Sequence, residues 1–213
     1  MRVINTDSSY SYTISDITPI ISTLSLNKKL MELPAAIKYT KLLNELSVKF
    51  LHYSTKTIII NTDFFYFPTK INNLEMRMHF NIKEAHRLAK NKQRSMINHD
   101  YFTNIREPNR FASIGYDEIR TNELERYHFT TLEPILLIEY PITSDIPYLV
   151  IDGNHRIAAQ KSIKQALPCV FLDALEHPAL FICELDYSFY RTMRFIQDYM
   201  ISSNPELKNK LLF

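Results

Sequence analysis

Glycine is nearly missing from this chain: Gly115 and Gly153 are the only two in 213 residues. Average usage near 7% would supply about fifteen. Turns with positive φ must therefore be few, or carried by Asn and Asp, which tolerate that backbone region best among the side chains. Tryptophan is absent, and cysteine occurs twice, as Cys169 in "LPCVFL" and Cys183 in "ALFICEL". Two thiols in apolar runs without a Cys-x-x-Cys spacing exclude a disulfide framework and offer no zinc pattern. Buried free thiols in a reducing compartment are expected instead. No stretch approaches the roughly 18 apolar residues of a membrane span, and "MRVINTDSSYSY" has no apolar core of signal-peptide length. A cytoplasmic protein with no membrane partner is the expectation. The net charge of +2 gives no grounds for nonspecific nucleic-acid affinity, which needs clustered basic groups facing phosphates.

What is present is ordinary for a folded chain: 46% apolar and 23% charged residues, with thirteen tyrosines and thirteen phenylalanines. The length suits one buried core with additions, or two small domains. Asp16 is placed to cap a short helix with Pro19 in its first turn. Ala36, Ile37, Leu42 or Leu43, Leu46 and Phe50 recur near the helical period, so 34–51 is expected to be a helix. In "TKTIIINTDFFYFPTK", two β-rich runs flank Asn61-Thr62-Asp63, which reads as a hairpin or as a strand with an irregular edge. Residues 80–98 read as a helix with a basic side formed by Lys83, His86, Arg87, Lys90, Lys92 and Arg94. A solvated face is its plain reading; phosphate contact is the functional one. Residues 99–115 look loop-like, and 116–127 like a short acidic helix.

From 129 the pattern sharpens. "EPILLIEYPI" is a strand, "TSD" a turn, "PYLVID" a strand, "NHRIAAQKSIK" a helix and "ALPCVFLD" another strand. A right-handed crossover through helix 154–164 would return 168–172 as a sheet neighbour of 148–151. "ALFICEL" fits a strand or a helical segment, and "DYSFYRTMRFIQDYMISS" a docked helix presenting Phe189, Met193, Ile196, Tyr199 and Met200.

The second glycine stands in "YLVIDGNHRIAAQ" (148–160), where an apolar strand passes into a helix. Asp152 can aim a carboxylate into the crevice at the strand's end. Gly153 permits a tight turn, and Asn154 is competent to cap the helix. Unpaired amides at the helix start favour an anion, with His155 and Arg156 beside them as hydrogen-bond donors. Ala158 and Ala159 allow close approach to the sheet, and Ile157 anchors the inner side. A purely structural reading of the same residues pairs Arg156 with Asp152 or Asp173 and packs His155 as a buried imidazole.

Residues 148–173, "YLVIDGNHRIAAQKSIKQALPCVFLD", resemble the signature of the ParB/sulfiredoxin-like superfamily, in its ParB-like nuclease domain branch. In that signature a strand leads to a glycine-containing turn with His-Arg or Arg-Arg, an alanine-rich helix and a strand starting near Ile-Pro or Leu-Pro. "LEPILLIEY" (132–140) is similar to the family's upstream strand. The resemblance implies an α+β fold, a small mixed sheet of that type with a helical N-terminal extension and a C-terminal docked helix. It divides the chain into a mainly helical region with one or two strands, 1–125, and a core with the C-terminal helix, 126–213.

Its branches imply different chemistries. Sulfiredoxins bind ATP at this turn and use a cysteine just before the His-Arg pair; Asn154 stands there in this chain. Free serine kinases hold nucleotide phosphates with Asp-Gly-His-His-Arg, matched by Asp152, Gly153, His155 and Arg156. Asp152, Glu133 or Glu139 would then be the base. The partitioning branch binds CTP and DNA, but its helix-turn-helix is not recognisable in this sequence.

The function expected is binding of a phosphorylated ligand, a nucleotide, at this turn, extending to phosphoryl transfer. Gly153, Asn154, His155 and Arg156 would bind the ligand, a nucleoside triphosphate with magnesium. Asp152 and His155 would be catalytic, with Arg106 and Arg110 closing over the site. The alternatives are a DNA-binding or nuclease-like protein and a non-catalytic interaction module.

Overall fold

The structure is a computed structural model describing residues 10–14, 16–26, 28–31, 34–71, 74–105, 112–117, 133–141, 146–160 and 165–203. The chain divides into two units. Ile82–His177 belongs to one; the described residues of Arg2–Asn81 and Pro178–Pro205 belong to the other.

The second of these contains β1 (Tyr10–Thr13), α1 (Thr18–Ser25), α2 (Ala35–Tyr53), β2 (Thr57–Ile60), β3 (Phe64–Ile71) and β4 (Leu74–Asn81). Asp16 stands two residues before α1 and accepts the Thr18 amide at 2.9 Å, while Ile17 holds the cap position. Hydrogen bonding from the Thr18 side chain, with the amide adding to it, holds the Asp16 carboxyl below its ordinary value. Helix α2 matches the expected span, but its buried stripe is Ala35, Tyr39, Leu42, Leu43 and Leu46. Ile37, expected inside, is 72% exposed. The true stripe runs through Tyr39, whose buried hydroxyl donates to the Leu24 carbonyl at 2.7 Å; Ile37 lies about 200° around the helix from it.

The hairpin expected over 55–70 does not form. Strand β2 pairs with β1, and β3 pairs with β4 in eight matched positions from Phe64–Asn81 to Ile71–Leu74. The "ALFICEL" run is neither a strand nor a helix throughout: a 3-10 turn at Pro178–Leu180 leads to Phe181, and a long helix begins at Glu184. That helix (Glu184–Ser203) buries Phe189, Met193 and Ile196 as expected and Leu185 besides, while Tyr199 is half-buried and the Met200 side chain lies outside the described residues.

The other unit is built on a six-stranded mixed sheet. Its strands are β5 (Ser95–Ile97), β6 (Phe102–Asn104), β7 (Ile114–Tyr116), β8 (Ile135–Glu139), β9 (Tyr148–Asp152) and β10 (Leu167–Leu172), in the order β5-β10-β8-β9-β7-β6. Helix α3 (Ile82–Ala89) precedes β5, α4 (Asn154–Gln160) follows β9, and Glu184–Ser203 of the other unit is α5. Helix α3 packs on β8 and β10. Ile157 of α4 packs with Ile135, Leu137, Val150, Leu167 and Cys169. Covered on both sides, Ile135–Ile138 of β8 are all buried, which is why this strand reads as an unbroken apolar run.

Three expectations are corrected in this unit. Strand β10 is not the neighbour of β9: it runs parallel to β8, which lies between them and is antiparallel to β9. The helix expected over 80–98 is confined to 82–89, because its apolar stripe (Ile82, Ala85, Ala89) ends there and 95–97 pairs with β10 as β5. The loop expected over 99–115 contains a 3-10 turn and two strands, β6 and β7. Of the acidic helix expected at 116–127, Tyr116 instead ends β7 and 118–127 lie outside the described residues, as do the "TSD" turn, Arg106 and Arg110. The fold class is α+β with a mixed sheet, and no described helix is long and apolar enough to cross a membrane.

Candidate functional site

The turn at 152–156 is positioned by an irregularity in β9. Leu137 pairs with Val150, but Leu136 pairs with Asp152, leaving Ile151 as an extra residue. Side chains alternate along a strand, so one inserted residue reverses the alternation beyond it. Asp152 therefore falls on the Leu136 side of the sheet, opposite to Val150 and Leu137. His86 of α3 meets it there, its Nε2 lying 3.1 Å from Asp152 Oδ2.

Gly153 follows at φ +103°, a conformation that L side chains rarely adopt. Its missing side chain also makes room for the sheet: a β-carbon there would sit 3.3 Å from the Ile135 backbone. The Gly153 carbonyl accepts the Ile157 amide at 3.1 Å, opening α4. Asn154, expected to cap this helix, is its first residue. Its buried side chain reaches across to accept the Asp117 amide at 2.9 Å, fastening the turn to the end of β7.

Arg156 is turned inward and is 9% exposed. One guanidinium nitrogen donates to the Glu133 carbonyl, and the other lies 3.3 Å from Asp152 Oδ2. Of the two pairings open in the sequence, Arg156 takes Asp152. Asp173 instead accepts the Leu175 and Glu176 amides at 2.9 and 3.3 Å. His155 is half-buried at the start of α4. His99 is buried, and its Nε2 lies 3.0 Å from the Ile157 carbonyl, which makes that nitrogen the donor.

Asp152 Oδ2 thus faces an imidazole and a guanidinium at once. The Arg156 guanidinium offsets the charge of a carboxylate that burial alone would penalise. No group of three or more metal-ligating side chains suited to a metal ion occurs among the described residues. Burial pushes the nearby Cys169 thiol up to about 12 against the pull of Arg156, so it is not a thiolate near neutral pH.

His86 was visible in the sequence only as one basic residue among six. Its special position follows from α3: Ile82, Ala85 and Ala89 face the sheet, and His86 flanks that stripe, 37% exposed. Lys83 and Arg87 are exposed on the same helix, and Lys90 is exposed just past its end. Arg87 is bonded twice to Glu84, at 2.6 and 2.7 Å, and holds that carboxyl below its ordinary value. Of the candidate bases, Glu133 contributes its backbone carbonyl to Arg156, and Glu139 lies in β8 opposite Tyr148. No protein-family model, curated protein or solved structure matches the chain.

Proposed function

We propose that this chain binds a phosphorylated ligand, a nucleotide, at the 152–156 turn, with His86 as the residue that meets the phosphate. The observation that carries the reading is the contact between Asp152 and His86. A carboxylate beside Nε2 holds the ring against the 152–156 turn, where a phosphate would meet it. Exposed Lys83 on α3 and Lys90 just past its end add positive charge. Arg156 acts through Asp152, holding the carboxylate for His86. The resemblance of residues 148–173 to the ParB/sulfiredoxin-like superfamily points to the same ligand class, and phosphoryl transfer is the reaction that would follow. Two free, buried thiols suit a cytoplasmic setting.

Titration calorimetry with ATP, CTP and inorganic phosphate, each with and without magnesium, tests this. Binding that weakens at least tenfold in His86→Gln supports it; affinity unchanged by that substitution, or no heat from any ligand, overturns it. The exposed basic residues of α3 support a second reading, nucleic-acid binding. In that case log affinity for duplex DNA falls linearly with log salt, and Lys83→Ala with Lys90→Ala flattens the slope.

A further inference from the structure

The Asp152–His86 contact has a chemical side that ligand binding does not use. Nε2 of His86 lies 3.1 Å from Asp152 Oδ2. In the neutral ring only one nitrogen carries a proton, and a carboxylate neighbour selects the tautomer with hydrogen on Nε2. Nδ1 then holds the free lone pair. The side chain is 37% exposed, and no hydrogen-bond partner of Nδ1 occurs among the described residues. The carboxylate behind it is buried and braced by Arg156, so the ring is held by a group that is itself fixed. An oriented imidazole with an accessible lone pair and a carboxylate on its far nitrogen is an activated nucleophile.

We infer that His86 accepts a phosphoryl group on Nδ1, forming a phosphohistidine. The Nδ1 lone pair forms the N–P bond while the bond from phosphorus to the leaving group breaks. The leaving group is a nucleoside diphosphate from a triphosphate donor, or ammonia from phosphoramidate. The Nε2 proton stays on the ring, and Asp152 offsets the positive charge that the ring acquires. Asp152 is a positioning residue in this step: it selects the tautomer and stabilises the charged product.

The triphosphate part rests on the nucleotide reading above; the histidine chemistry does not, because phosphoramidate needs no nucleotide site. The test treats the full chain with phosphoramidate and follows each histidine by peptide mapping for an acid-labile, alkali-stable phosphate. His52, exposed on α2, is the internal reference. His86 is expected to be phosphorylated at least tenfold faster than His52, and Asp152→Asn to bring the two rates together without changing that of His52. A His86 rate in the wild-type chain no greater than that of His52 overturns the inference, and so does a rate ratio untouched by Asp152→Asn. A parallel arm uses ATP labelled on its terminal phosphate. Labelling of His86 by phosphoramidate but not by ATP supports the phosphoacceptor and removes the nucleotide as its donor; labelling by both supports both.

Discussion

A β-carbon placed on Gly153 would lie 2.5 Å from Cδ1 of Ile135, at a backbone position whose φ is +103°. Gly153→Ala therefore meets both a strained conformation and a packed strand. It is expected to cost about 1–3 kcal/mol, the range for a non-glycine residue forced into such a region. Urea unfolding would show this as a lowered midpoint with an unchanged slope. A midpoint equal to that of the wild type would mean that the turn relaxes freely.

Arg156→Ala removes one partner of a buried pair and leaves the Asp152 carboxylate without its guanidinium. Loss of about 3–5 kcal/mol is the usual result of that kind of break. Arg156→Lys keeps the charge but not the fork that serves both Asp152 and the Glu133 carbonyl, so it recovers only part. Thermal unfolding of the two variants should rank them in that order below the wild type. Equal melting temperatures for all three would show that the pair carries no structural weight.

Burial pushes the Cys183 thiol from 9.0 up to about 12, with Asp186 adding to the shift, and burial moves Cys169 by a similar amount. Tyr39 rises from 10.0 to about 12 for the same reason. Between the ordinary values and about 12, the native state holds protons that the unfolded chain has released. Stability must then fall as pH rises from 9 to 12. Denaturant titrations at successive pH values would trace the decline. Native-state alkylation with iodoacetamide at pH 8 should leave both thiols untouched, and rapid labelling of either would contradict the burial argument.

His79 is 1% exposed and stacks on Tyr12 with ring centroids 3.9 Å apart, yet neither ring nitrogen has a hydrogen-bond partner among the described residues. Its Nδ1 lies 3.5 Å from Asp186 Oδ2, which also receives the His79 amide and the Cys183 thiol. His79→Phe keeps the stacked ring and removes two buried polar atoms. It is expected to stabilise the protein by about 1 kcal/mol in chemical unfolding. A loss of similar size would instead assign the dominant role to the charge on Asp186.

Much of the Ile82–His177 unit could be read from residue patterns because apolar runs and the Asp-Gly-Asn turn mark β8, β9, α4 and β10 directly. The pairing of Arg156 with Asp152 was one of two that the sequence left open, and the tight turn at Gly153 decides it by bringing the start of α4 beside the end of β9. Neighbour order could not be read. Hydropathy makes β9 and β10 equally apolar, and nothing in it says that β8 lies between them. His86 was hidden for a sharper reason. Its meeting with Asp152 depends on the extra residue at Ile151, and a bulge formed by isoleucine in "YLVID" leaves no compositional trace.

The order of elements along the chain also has a consequence for how the protein comes off the ribosome. Ile82–His177 is continuous in sequence, so its sheet can close as soon as β10 has emerged. The unit begun by β1 to β4 must wait, because the face of α2 that includes Glu45 receives Ser188 and Arg191 of α5, the last helix made. The first part to be synthesised is therefore the last to be completed, and Tyr39, Leu42 and Leu46 need shielding from other nascent chains during that interval.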